Sequence, residues 1–193
     1  MNEKVYKFLL LSIFLLSLGI GLHFFFRTPL IEPSPGKIMD SYRSVPVYYN
    51  NLDHTNEKRE TFSYDGYYYG LKWQCVEYVK RFYYVAKQHR MPNGFGDAKD
   101  FFDPSVPQGG LNQQRGLVQY KNEGTEKPKP DDILVFTNPP YGHVAIVTKV
   151  TPDTVEVIQQ NRKNSRQVFA LIVKNHHYFI GTSSKPVGWL RKQ

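Results

Sequence analysis

A single cysteine stands in this chain of 193 residues, and the stretch around it constrains the fold more than any other. Residues 70–82 read GLKWQCVEYVKRF. Gly70 marks a turn. From Trp73 onward, Cys75, Val76, Val79, Phe82, Tyr83 and Ala86 recur at helical spacing and form one apolar stripe. Glu77, Lys80, Arg81 and Lys87 fall largely off that stripe, placed for i,i+3 and i,i+4 pairs. The pattern predicts a helix with Cys75 in its first turn, facing inward. Unpaired backbone N–H groups and the positive end of the helix dipole favour a thiolate at such a position. A lone cysteine on an apolar stripe is ordinarily a small buried hydrophobe. What would make it a nucleophile is a base beside it.

Several chemistries are excluded by counting. One cysteine leaves no intramolecular disulfide, no CxxC redox pair and no Cys-based zinc cluster. His176 and His177 lack a third ligand of clear spacing, so neither a metal nor another cofactor is expected. The formal charge is +8. Residues 1–27 hold Lys4, Lys7, Arg27 and Glu3, so the remainder carries +6. A basic surface suits anionic surroundings. With no dense Lys/Arg block, nucleic acid is not an expected partner.

Residues 8–26 read FLLLSIFLLSLGIGLHFFF, without Asp, Glu, Lys or Arg. Nineteen residues at helical rise span roughly 28 Å, close to the hydrocarbon thickness of a bilayer. No small-x-small cleavage site follows, because the next residues are Arg27-Thr28-Pro29-Leu30. The expected organisation is a cytoplasmic tail over 1–7 and an uncleaved transmembrane signal anchor over 8–26. A Pro-rich tether over 27–44 follows, then a domain over 45–193. The expected location is the inner (cytoplasmic) membrane, with the domain facing the periplasm or cell exterior.

Within the domain, Val45 to Tyr49 reads as a short strand and residues 61–69 as a tyrosine-rich lead into the cysteine turn. Residues 90–130 are rich in Gly, Pro, Asn and Gln and read as loop, with a short helix near 97–102. So long a loop suits one wall of a cleft. Residues 133–136 read as a buried strand. His143, Ala145 and Val147 alternate with Val144, Ile146 and Val150, which predicts a strand that turns at 151–153 and returns over 154–160. Residues 168–173, 178–180 and 187–190 complete an antiparallel sheet. The expected class is α+β, with the cysteine helix packed on the sheet.

The hairpin has a geometric consequence. Opposed residues of an antiparallel pair have a constant index sum. A tight turn at 151–153 makes that sum 302, 303 or 304, which sets His143 opposite Gln159, Gln160 or Asn161. Opposed side chains share a face, with Cβ atoms about 5 Å apart. A thiolate, an imidazole base and an amide orienting the second ring nitrogen form the nucleophile–base–orienter set of thiol hydrolases. Gln74 adds an oxyanion donor beside the Cys75 N–H. Glu77, turned about 200° along the helix from Cys75, reads as structural.

Trp73-Gln74-Cys75-Val76-Glu77-Tyr78, followed later by Gly142-His143-Val144-Ala145-Ile146-Val147, resembles the CHAP family of cysteine- and histidine-dependent amidohydrolases/peptidases. Within it, the sequence is most similar to the amidase domain of bifunctional glutathionylspermidine synthetase/amidases. The likeness runs from Val45 to Gly188-Trp189-Leu190. It implies a papain-like α+β fold, Cys75 as nucleophile and His143 as base. The family pattern Glu-x-Asn on the next strand falls here on Gln159-Gln160-Asn161. A neutral Gln159 can hold the imidazole but cannot stabilise imidazolium by charge. The bond it makes has roughly half the strength of a charge-assisted one. Asn161 is placed to share the orienting task.

The expected function is a membrane-anchored thiol amidase or peptidase. Its substrate would be a peptide or amide, either in peptidoglycan or a glutathionylspermidine-like conjugate. Acyl transfer would use the same residues. The alternative is a binding domain of the cell envelope whose chemistry has been weakened, with Gln159 as the mark of that loss.

Overall fold

The computed structural model describes residues 2–26, 32–52 and 59–193. The chain divides into two compact units, Met1–Glu32 and Pro33–Gln193. The first unit holds helix α1 (Glu3–Phe26), opened by an exposed Glu3–Lys7 ion pair of 2.7 Å.

The transmembrane anchor expected over 8–26 has to be corrected. Among the described residues, no helix is long and apolar enough to cross a membrane. Glu3, Lys4 and Lys7 put charge into the first two turns of α1. The inner-membrane location and the outward-facing domain rested on the span and fall with it.

The second unit opens with β1 (Ile38–Tyr42) and β2 (Val45–Tyr48), an antiparallel pair, followed by β3 (Glu60–Phe62) and β4 (Tyr68–Leu71), another. Helix α2 (Cys75–Lys87) and a single 3-10 turn, Ala98–Phe101, come next. The remaining strands are β5 (Gly110–Asn112), β6 (Leu117–Lys121), β7 (Ile133–Phe136), β8 (His143–Val150), β9 (Thr154–Ile158), β10 (Arg166–Lys174), β11 (His177–Ile180) and β12 (Gly188–Arg191). They form one antiparallel sheet in the order β11-β10-β9-β8-β7-β12-β6-β5.

The expected balance of the fold class, a papain-like α+β domain behind a membrane helix, is corrected as well. Among its described residues the second unit holds far more strand than helix, with one helix of 13 residues and one 3-10 turn. Part of the reason lies in residues 90–130, expected as loop, which supply β5 and β6. These two strands are short, with Gly109 before β5, Gly110 as its first residue and Gly116 before β6. They offer too few alternating positions for periodicity to register.

Both faces of the central strands are covered, which is why β7 is apolar at every position. On one face, Val135, Val144, Ile146, Ile158 and Leu190 pack against Cys75, Tyr78, Val79, Phe82 and Tyr83 of α2. On the other, Leu134, Ala145, Val147, Val157, Phe169 and Trp189 form a second cluster. Helix α2 is buried more fully than its stripe implied, since Glu77, Tyr78 and Lys80 are enclosed too. It ends at Gln88, which takes a left-handed conformation (φ 48°) and returns its N–H to Tyr83 O.

Candidate active site

The strand β4 turns into α2 over residues 72–74. The Gln74 N–H donates to Leu71 O at 3.1 Å, and Trp73 takes a left-handed φ of 57°. Gln74 is extended (φ −78°, ψ 161°) as the N-cap, and Cys75 is the first helical residue. Gly70 lies inside β4 rather than at the turn. Its φ is 136°, and a Cβ there would meet the Glu77 backbone at 3.3 Å, so strand and helix close on each other only because it is glycine.

At this helix start the Cys75 thiol lies against the backbone of β8. Burial pushes the thiol up. Against that act first the N–H of Val144, then the charge of Arg162, then the N–H groups of Val76 and Cys75. The helix terminus pulls toward thiolate as the sequence implied, but desolvation outweighs it and the resting group is the thiol. Val144 is the residue after His143, so the thiol sits one residue along the strand from the histidine.

His143 opens β8, in phase with Ala145 and Val147. The chain enters through Gly142 (φ 76°), whose N–H donates to Asn138 O at 2.8 Å. A Cβ on Gly142 would stand 2.7 Å from Lys99 N, so this approach also requires glycine. The His143 ring is buried, 6.2 Å from the ring of Phe136. Its Nε2 is 2.9 Å from Gln159 Oε1. The Gln159 amide nitrogen donates to Asn164 O at 3.1 Å and to Gln167 Oε1 at 3.3 Å. Those acceptors orient the amide with its oxygen toward the ring. His143 is therefore the donor at Nε2, and in the neutral ring the lone pair is on Nδ1.

The register that delivers Gln159 carries an irregularity. Near the turn, Lys149 pairs Glu156 and Val150 pairs Val155, an index sum of 305. Past Thr148 the ladder steps to Ile146↔Ile158 and Val147↔Val157, a sum of 304. Continued to the strand end, this sets His143 opposite position 161, and Gln159 reaches the imidazole diagonally.

Asn161, left-handed at φ 61°, donates from Nδ2 to Gln74 Oε1 at 2.5 Å. The two are thereby joined across the helix start, and the Gln74 amide nitrogen is turned away from Asn161. Between them Gln160 does something the sequence reading did not assign. It is buried, accepts the Tyr48 N–H at 2.8 Å, and donates to Gln74 O (3.0 Å) and Glu77 Oε2 (2.7 Å). Glu77 is in turn held by Arg81 Nε at 2.5 Å. The signal was present in the alternation of 159–161, which turns Gln160 toward the helix when Gln159 faces the histidine. His176 and His177 are exposed. Among the described residues, no three His, Cys, Asp or Glu side chains gather as a metal ion would require.

A protein-family model for the CHAP domain matches residues 64–161, just over half of the chain. Trypanothione synthetase of Crithidia fasciculata is 25% identical over 144 residues, 70% of this chain and 22% of that protein. Glutathionylspermidine synthase of the same organism is 32% identical over 111 residues, 48% of this chain and 14% of that protein. The chain thus spans less than a quarter of the length of either relative. The matched segment takes in the cysteine helix, the histidine strand and the Gln159-Gln160-Asn161 run, and the chain belongs to the CHAP family of amidohydrolases/peptidases.

Proposed function

We propose that the domain hydrolyses an amide bond by thiol chemistry, with Cys75 as nucleophile and His143 as base. The observation that carries this reading is the His143–Gln159 bond, which puts the ring proton on Nε2 and the basic lone pair on Nδ1. Support also comes from the Cys75 thiol against Val144, at the end of β8 where His143 stands.

In this mechanism the resting pair is neutral. The Cys75 proton passes to Nδ1 of His143 as the sulfur attacks the amide carbonyl, and a tetrahedral oxyanion forms. The Cys75 N–H and the Gln74 side-chain amide donate to that oxyanion, with Asn161 holding Gln74. The imidazolium then protonates the departing amine. Water attacks the thioester, and His143 takes its proton. Gln159 keeps the ring oriented throughout but adds no counter-charge. The base therefore works by transient proton transfer rather than by a standing thiolate–imidazolium pair.

For the substrate, similarity to proteins named trypanothione synthetase and glutathionylspermidine synthase supports a glutathionylspermidine-type amide. Family membership alone also accommodates peptide links of peptidoglycan. The case for the cell wall drew on an outward-facing anchor and has lost that support. The test is hydrolysis of glutathionylspermidine and of purified wall peptides by the full chain and by Cys75→Ala. The expected result is product from one substrate with the native chain and none with the variant. Equal turnover by Cys75→Ala would sink the thiol mechanism.

A further inference from the structure

A cavity of about 190 Å³ lies beside the His143–Gln159 pair, bordered also by Phe136, Gln167, Phe169 and Arg162. Among the described residues its lining includes no carboxylate, and Arg162 is its only charged group. A smaller cavity on the Tyr48–Asn50 side shares Gln159 and Arg162 and adds Lys163. Arg162 therefore stands where the two meet, just after left-handed Asn161 has turned the chain.

The state of this arginine sets it apart. Arg43, Arg81, Arg166 and Arg191 are each engaged by a carboxylate, and Arg115 is held by backbone carbonyls. Arg162 is exposed and, among the described residues, makes no ion pair and no side-chain hydrogen bond. Its charge nevertheless reaches the Cys75 sulfur. A guanidinium offers planar paired donors that match a carboxylate. With no acid to neutralise it, the same cavity repels an ammonium group.

Resting on the thiol reading of this site, we infer that Arg162 is a substrate receptor: the amide cleaved here carries a carboxylate on its acyl portion, which seats in the cavity against Arg162. A cationic leaving amine, such as a polyamine arm, then lies outside this cavity. Arg162 is a specificity residue and takes no part in proton transfer.

Iodoacetate and iodoacetamide test this without knowledge of the substrate. They deliver the same carbon to the same sulfur, one with a carboxylate and one without. The ratio of their rates at Cys75 cancels any change in thiolate fraction. In the full chain at low salt, this ratio should exceed that of Arg162→Gln by about two- to fivefold, the range for an exposed ion pair. Arg162→Lys should keep part of the excess, and raised salt should erase it. Equal ratios in the native chain and Arg162→Gln, with Cys75 labelled in both, overturn the receptor and leave the thiol reading standing. Failure of either reagent to label Cys75 at alkaline pH overturns both.

Discussion

His143 donates from Nε2 to Gln159 Oε1 at 2.9 Å, and Gln159 can accept because its own N–H groups are spent on Asn164 O and Gln167 Oε1. Gln159 is thus fitted to neighbours that a carboxylate would not suit. In Gln159→Glu one oxygen would take the imidazole proton with charge assistance. The other would face two carbonyl oxygens. Two opposed effects are expected. Cys75 should be alkylated at lower pH than in the native chain, because imidazolium gains a counter-charge. The fold should lose roughly 1–3 kcal/mol, the usual cost of buried polar groups left without donors. Urea unfolding and iodoacetamide kinetics read the two separately. A variant as stable as the native protein would show that the Asn164 and Gln167 contacts do not select glutamine.

In the native protein, burial holds the Cys75 thiol above its ordinary range, and Gln159 brings no charge to His143. Alkylation by iodoacetamide should accordingly rise only above the free-thiol value of about 8.5. No acidic limb is expected. Amide hydrolysis should run at lower pH than alkylation, because His143 removes the thiol proton in the transition state. A plateau of alkylation reaching down toward pH 6, lost in His143→Ala, would instead mean a standing ion pair and would rule out the neutral resting state.

Gln160 ties three elements together: the Tyr48 N–H of β2, the Gln74 carbonyl at the helix cap and the Glu77 carboxylate within α2. Gln160→Leu removes all three bonds and leaves buried polar groups behind. A loss of about 2–4 kcal/mol is expected in denaturant unfolding, because networks of this kind fail together. Since the cap positions Cys75, the iodoacetamide rate at Cys75 should change as well. A loss of stability with no change at Cys75 would separate the brace from the site.

Much of this site could be read before any coordinates. Helical spacing put Cys75 at the start of α2, and the index-sum argument brought Gln159, Gln160 and Asn161 to His143, since pairing and periodicity are local rules. The step at Thr148 was not legible, because a bulge leaves no mark in an alternating run. Nor was the burial of Glu77 and Lys80. Both lie off the apolar stripe, and only the wrapping of α2 by β2, β4 and the sheet encloses them. Residues 8–26 misled for a different reason. Composition and length state what a segment could span, not what structure it contributes.

Lys80 provides the clearest effect of that wrapping. It is fully buried, with its ammonium 2.8 Å from Gly94 O and over the rings of Tyr67 and Tyr68 at 5.1 and 4.7 Å. The carbonyl and the rings favour the charge, yet burial, aided by the nearby Arg115 guanidinium, pushes its pKa down to about 8. In the unfolded chain a lysine titrates near 10.4. Between these values the unfolded chain binds a proton at Lys80 that the folded chain has released. Stability should therefore rise with pH from about 8. Below 8 both states are charged, and the full cost of burying the ammonium is present. The gain can reach at most about 3 kcal/mol over the whole interval. Buried tyrosines act in the opposite sense above about 10, as their free value is passed, and Tyr69 is pushed up to about 12 by its burial. The Cys75 thiol, raised by its burial, acts in the same opposing sense once its free value of about 8.5 is passed. The window to examine is thus pH 8 to 10, read as a difference in slope. In denaturant unfolding the native chain should gain stability across it relative to Lys80→Met, which has no proton to release. An identical slope in both would mean that Lys80 keeps its charge in the folded protein, with the rings and the Gly94 carbonyl prevailing over burial.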